Sequence, residues 1–170
     1  MKPPAEIRHT SGKCALGTLL VARGERGICM IALGDDPEIL LRELRENFPR
    51  DRLIAGNRDD KQTLAQVADL IAHPARNFTL PLDMRGTEFQ RRVWQALRKI
   101  PPGTTRTYAE IAAQLGNPNA ARAVGNACAA NILALAIPCH RALRADGTLS
   151  GYRWGVERKR ILLEKEQAGC

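Results

Sequence analysis

Apolar and polar positions alternate along this chain in patterns that change every ten to twenty residues. Cys14 to Ala22 and Ile28 to Leu33 are short apolar runs on either side of Gly24-Glu25-Arg26-Gly27, a pairing that predicts a β-hairpin. Leu40, Leu41, Leu44 and Phe48 then recur at helical spacing, with Asp36 as cap, Pro37 in the first position and Pro49 as the stop. Leu64, Val67, Ala68 and Ile71 make one face of a second helix that starts near Asp60 and ends at His73-Pro74. Phe78 to Leu82 reads as a further strand, and the charges of this half sit where solvated faces belong.

The pattern changes near Asp83, and the domain boundary falls between Asp83 and Thr87. Residues 1–83 form an α/β unit and residues 84–170 a mainly helical one. Thr87-Glu88-Phe89-Gln90 has the form of a capping box, and Phe89, Val93, Ala96, Leu97 and Ile100 then line one face of a helix that Pro101-Pro102-Gly103 ends. From Thr107 a short helix runs to Gly116, Asn117-Pro118-Asn119 makes a turn, and a second helix follows from Ala120 to about Asn131. Two short helices around such a turn are the signal of a helix-turn-helix. In the second helix Ala121, Val124 and Cys128 can face inward, while Arg122, Asn126 and Ala129 recur on another side. An outer face of small residues with one long Arg can lie close to nucleic acid, although an ordinary helical hairpin with an exposed Arg has the same pattern. Ile132 to Ile137 is too apolar for a surface loop and must run through or against the core. Ala145 to Thr148 reads as a tight turn, and a last helix from Val156 to Gln167 packs through Val156, Leu162 and Leu163.

Composition narrows the function classes. The 26 Lys and Arg against 18 Asp and Glu leave a net charge of +8, which favours a polyanionic partner, nucleic acid before an acidic membrane surface. No run approaches the length of a membrane span, and the first residues lack the apolar segment of a leader, so a cytoplasmic location is expected. Cys14, Cys29, Cys128, Cys139 and Cys170 are odd in number, scattered and without a CxxC pair. They predict reduced thiols, with neither a disulfide framework nor a metal site.

The reactive constellation is Pro138-Cys139-His140-Arg141, at the end of the apolar run. A thiol is a nucleophile as its thiolate, and a base or a positive charge beside it is what makes thiolate available near neutral pH. His140 and Arg141 offer both. Neighbouring residues in extended chain point to opposite faces, so His140 is expected to act through a water, oriented by a carboxylate for which Glu164 and Glu166 both qualify. A buried cysteine beside a satisfied histidine is the plain structural reading of the same dipeptide.

This segment, with Asn131 upstream and Gly147-Thr148-Leu149-Ser150-Gly151-Tyr152-Arg153-Trp154-Gly155 downstream, resembles the active-site region of the O6-alkylguanine-DNA alkyltransferases. The similarity is closest to the C-terminal repair domain of the bacterial adaptive-response, Ada-type members. It includes Ala121-Arg122-Ala123-Val124 and Tyr108, and reaches back loosely to Arg26-Gly27-Ile28-Cys29. The resemblance implies an N-terminal RNase H-like domain and a repair protein that flips an alkylated guanine out of double-stranded DNA. The alkyl group then moves irreversibly from O6 to Cys139, once per molecule.

Carried over, His140 relays the Cys139 proton through a water, Glu166 completes the relay, and Asn131 orders the hydrogen bonds beneath the active-site turn. Tyr108 donates to the departing base, and Arg122 fills the vacated stack, on a surface with Asn117, Ala123 and Asn126 that approaches the minor groove. The carbonyls of Cys139 and Ala142 and the amide of Arg153 fall where relatives read the guanine edge, beside Tyr152 and Trp154. The bulk of Trp154, where some relatives have a small residue, is expected to narrow the pocket against benzyl-sized groups. No cofactor is implied, and the four-cysteine zinc module of longer relatives is absent from this sequence. The protein is expected to act as a monomer. The competing readings are a lesion-recognition protein that transfers nothing, a redox-sensing helix-turn-helix regulator, and a Cys-His-Glu hydrolase that turns over.

Overall fold

A computed structural model describes residues 2–169; Cys170, one of the expected reduced thiols, lies outside the described residues. The N-terminal half is built on a sheet of order β3-β2-β1-β4, formed by β1 (Glu6–Cys14), β2 (Gly17–Gly24), β3 (Gly27–Gly34) and β4 (Arg52–Ala55). The expected hairpin is β2 and β3, joined at Gly27, whose φ of +133° suits a residue without a Cβ. A Cβ there would meet the Pro81 carbonyl oxygen at 2.6 Å.

β1 and β4 have no counterpart in the hydrophobic pattern. β1 pairs antiparallel with β2, but it reads His9-Thr10-Ser11-Gly12-Lys13 through its middle, and β4 is four residues that pair parallel with β1. Both are held by backbone pairing more than by an apolar face, so periodicity has little to register. Conversely, Phe78 to Leu82 forms no strand; Leu82 makes an isolated bridge to Ile28, through Ile28 N to Pro81 O at 2.9 Å and Asp83 N to Ile28 O at 2.8 Å.

Helix α1 (Pro37–Asn47) starts where Asp36 accepts from the Glu38 amide, and buries Leu40 and Leu44. α2 (Arg58–Ala72) begins two residues earlier than the pattern suggested, because Asn57 and Asp60 close a reciprocal capping box. It buries Val67 and Ile71. Arg23 pairs with the buried Asp60 carboxylate and so ties β2 to this helix start.

In the C-terminal half α3 (Glu88–Arg98) has the expected capping box of Thr87 and Gln90, and buries Val93, Trp94, Ala96 and Leu97. β5 (Arg106–Thr107) leads into α4 (Tyr108–Gln114), capped by Thr107 and Glu110, and α5 (Ala121–Ala129) follows. α5 turns Val124, Ala127 and Cys128 inward and leaves Arg122, Ala123, Asn126 and Ala129 exposed. β6 (Ala142–Leu143) pairs parallel with β5, and α6 (Val156–Gly169) closes the chain. α6 buries Lys159, Leu162 and Glu166, whereas Val156, expected to pack, is 46% exposed.

Two features lock the halves together. The apolar run after Asn131 docks on the free edge of β3, where Ile31 N donates to Ile132 O at 2.9 Å and Ala134 N to Ile31 O at 3.0 Å. Arg158 of α6 reaches across to the Leu16 carbonyl at 2.8 Å and the Asp35 carboxylate at 2.7 Å. The segment leading to Cys139 is therefore held by the sheet of one half and the last helix of the other.

Candidate active site

Cys139 opens a short 3-10 turn, Cys139–Arg141, that follows the docked run directly, and it is only 7% exposed. Between the docking point and the turn the chain bends sharply, with Leu135 at a φ of 71°. Asn131, itself buried, braces the bend: its Oδ1 accepts from Leu133 N at 2.8 Å, and its Nδ2 donates to Ile137 O at 3.0 Å and to Cys139 Sγ at 3.3 Å. One amide side chain thus fixes the loop shape and supplies a donor to the sulfur.

Behind the turn, Glu166 settles the choice left between two carboxylates. Glu164 is exposed and pairs with Arg160, whereas Glu166 is buried and accepts from His140 Nε2 at 2.7 Å and from Arg141 Nη2 at 2.8 Å. Arg141 Nε also reaches both Glu166 oxygens at 3.1 Å, and Nη1 donates to the Ile100 carbonyl at 2.6 Å. Arg141 therefore spends its charge on Glu166, not on the thiol as the dipeptide pattern suggested. Burial opposes ionisation of Glu166, but the bonds from His140 and Arg141 hold its carboxyl down at about 2.

An ionised Glu166 accepts a hydrogen bond from His140 Nε2–H, which keeps the proton on Nε2 and leaves Nδ1 as the basic nitrogen. Nδ1 is buried without a protein partner. Burial lowers the His140 pKa against the pull of Glu166, so the ring is neutral and able to accept a proton. Burial likewise pushes the Cys139 thiol up, opposed by the Asn131 bond and by the charges of Lys159 and Arg153. Both shifts favour a protonated thiol beside a neutral, oriented imidazole.

Cys139 borders a cavity of about 350 Å³, together with Tyr108, Cys128, Ala129, Tyr152 and Arg153. Tyr152 is buried at its hydroxyl and packs edge-on against Trp154, with ring centroids 5.1 Å apart. Of the residues expected around a base, Tyr152 and Arg153 border the cavity, whereas Trp154 sits behind Tyr152. Ala142 is fully buried, and its carbonyl accepts from Lys159 Nζ at 2.7 Å. Arg122, Ala123, Asn117 and Asn126 lie exposed along the turn and α5, on the helix pair that also supplies Tyr108 to the cavity.

Residues that sequence reasoning passed over are Lys159 and Ser150. Lys159 is 1% exposed, and its Nζ also donates to Ser150 Oγ at 2.9 Å, which in turn is hydrogen-bonded to the Tyr108 hydroxyl. A signal was present. Lys159, Leu162 and Glu166 fall on one helical stripe, and a lysine and a glutamate on a buried stripe require partners.

A four-stranded mixed-sheet domain joined to a helical domain that combines two short helices around a tight turn with a buried Cys-His-Glu cluster defines a two-domain α/β class of protein. Residues 7–84 match the ribonuclease-like domain of 6-O-methylguanine DNA methyltransferase, and residues 88–168 match the DNA binding domain of the same family. The chain belongs to the O6-methylguanine-DNA methyltransferase family.

It is 51% identical over 160 residues to the bifunctional transcriptional activator/DNA repair enzyme Ada of Escherichia coli K12, covering 94% of this chain and 45% of that protein. With the inducible methylated-DNA–protein-cysteine methyltransferase of Bacillus subtilis it shares 35% over 148 residues, 86% of this chain and 83% of that one. The structure of Mycobacterium tuberculosis OGT in complex with DNA superposes with a TM-score of 0.79 at 35% identity, covering 97% and 94% of the two chains. The chain spans about half the length of the Ada proteins it matches. Among the described residues no helix is long and apolar enough to cross a membrane.

Proposed function

We propose that this chain repairs DNA by taking the alkyl group of O6-alkylguanine, chiefly methyl, onto Cys139 in an irreversible, single-turnover transfer. The observation that carries this reading is the placement of Cys139: almost wholly buried, bordering a base-sized cavity, and backed by the His140-Glu166 pair. Only a substrate that enters the cavity can reach the sulfur. A base within a duplex does so by leaving the stack, at a cost of about a few kcal/mol.

In this reading Arg122 enters the stack from α5 and offsets part of that cost, and the small residues around it let the helix approach the minor groove. Asn117, Ala123 and Asn126 accompany it at the backbone, and Tyr108 donates to the departing base. The amide of Arg153 and the carbonyls of Cys139 and Ala142 read the guanine edge. As sulfur attacks the alkyl carbon, the thiol proton passes through a bridging water to His140 Nδ1, and the imidazolium that forms is stabilised by Glu166. The thioether has no leaving group that could regenerate the thiol, so each molecule reacts once. Affinity comes mainly from phosphates and falls steeply with salt, as the charge of +8 suits. The same reading divides the chain into an α/β domain over 1–83 and a DNA-binding, alkyl-accepting domain over 84–170, and has it act as a cytoplasmic monomer.

Mass spectrometry of the intact protein and its peptides, after incubation with duplex DNA carrying one O6-methylguanine, tests this directly. One methyl on the Cys139 peptide, saturating at one per molecule, is expected. No adduct despite preferential binding to the lesion would transfer the reading to a recognition protein, and repeated turnover of an ester would transfer it to a hydrolase.

A further inference from the structure

Lys159 is among the most deeply buried large side chains of the molecule, and its neighbours at Nζ are neutral: the Ala142 carbonyl at 2.7 Å and Ser150 Oγ at 2.9 Å. Among the described residues no carboxylate forms an ion pair with it. A buried ammonium without a counter-charge is costly, and such a cation is retained where a negative charge develops beside it. The line from Nζ leads to one such place. Ser150 Oγ accepts from Lys159 and is hydrogen-bonded to the hydroxyl of Tyr108, which lines the cavity alongside Cys139. With Ser150 accepting from Lys159 and donating to Tyr108, the Tyr108 O–H is left to point into the cavity.

We propose that Lys159 and Ser150 are positioning residues for the departing base, and that Lys159 N–H, Ser150 O–H and Tyr108 O–H form a chain that delivers a proton to guanine during alkyl transfer. The inference rests on the alkyl-transfer reading given above. The S–C bond forms at Cys139 while the C–O6 bond breaks, and the electron pair stays with guanine. Tyr108 gives that anion its proton, Ser150 replaces the Tyr108 proton and Lys159 replaces that of Ser150, which leaves a neutral amine at Nζ. The Cys139 proton travels separately to His140, and nothing is oxidised or reduced.

Burial lowers the Lys159 pKa, opposed by the thiols of Cys139 and Cys128 and assisted by Arg144, so its proton is more easily given up than that of an exposed lysine. The charge of Lys159 in turn helps to lower the His140 pKa.

The test is the single-turnover rate of methyl transfer from a duplex with one O6-methylguanine, at saturating DNA, followed from neutral to alkaline pH. The wild-type rate should fall on the alkaline side as Lys159 loses its proton. Ser150→Ala should lower the plateau by about ten- to a hundred-fold, leave the DNA dissociation constant unchanged and abolish the alkaline fall. Ser150→Thr, which keeps the hydroxyl, should restore both rate and profile. Lys159→Met should lose the alkaline fall as well, and if it fails to fold the two Ser150 variants decide alone. Transfer by Ser150→Ala at the wild-type rate, or slowed transfer that keeps the alkaline fall, would overturn the relay. A wild-type chain that accepts no methyl would instead overturn the alkyl-transfer reading, an outcome distinct from any ratio between variants.

Discussion

Replacing Glu166 by Gln removes one charge while keeping nearly the same shape, and so isolates the electrostatics beneath the active-site turn. Glu166 is 2% exposed and accepts from His140 Nε2 at 2.7 Å and Arg141 Nη2 at 2.8 Å. In the variant the guanidinium of Arg141, 9% exposed, is left with the Ile100 carbonyl and an amide oxygen in place of a carboxylate. Removing one partner of a buried pair typically costs about 3–5 kcal/mol, because the remaining charge stays buried. For a chain of this size about 2–4 °C of melting temperature accompanies each kcal/mol, so a fall of about 6–20 °C is expected.

The same substitution carries a pH signature. The Glu166 carboxyl is held at about 2, against an ordinary value of 4.5. A depressed carboxyl pKa stabilises the folded state fully above 4.5 and progressively less as pH falls toward 2. Urea denaturation of both proteins should therefore give a gap that is widest above pH 4.5 and narrows below it. A loss under about 1 kcal/mol at neutral pH, as for an exposed pair, or a gap that does not change in acid, would refute the claim that this carboxylate anchors the turn.

Cys139→Ala should abolish the methyl adduct and leave affinity for duplex DNA within about two-fold, since the sulfur is almost wholly buried and makes no surface for phosphates; fluorescence anisotropy measures this. Arg122→Ala should slow single-turnover repair of duplex DNA by about ten-fold or more while sparing single strands, where no stack needs filling; equal rates on duplex would remove its role. Trp154 backs Tyr152 at 5.1 Å between ring centroids, so the wall of the cavity is stiff. Free O6-benzylguanine should therefore inactivate the protein much more slowly than a methylated oligonucleotide, and inactivation as fast as the oligonucleotide's would show that the wall yields.

The sequence alone determined those elements whose stability is local. The β2–β3 hairpin, α1, the capped start of α3 and the helix pair around Gly116 all rest on turn residues, caps and apolar spacing within about a dozen positions, and they stand where the pattern put them. The Cys139-His140 dipeptide and its resemblance to a family were likewise legible, because the two residues are contiguous in the chain. Tertiary structure decided what depends on partners far along the chain. β1 and β4 exist through pairing with strands whose apolar pattern they do not share, and 78–82 stays irregular because its backbone is used as a single bridge on β3. Glu166 rather than Glu164 faces the histidine because one lies on the buried stripe of α6 and the other does not. Arg141 turned away from the thiol for the same reason, drawn to that carboxylate. Lys159 could be recognised only once α6 was seated against Ala142 and Ser150, since a lysine on a helix is ordinarily solvated and only packing takes its solvent away.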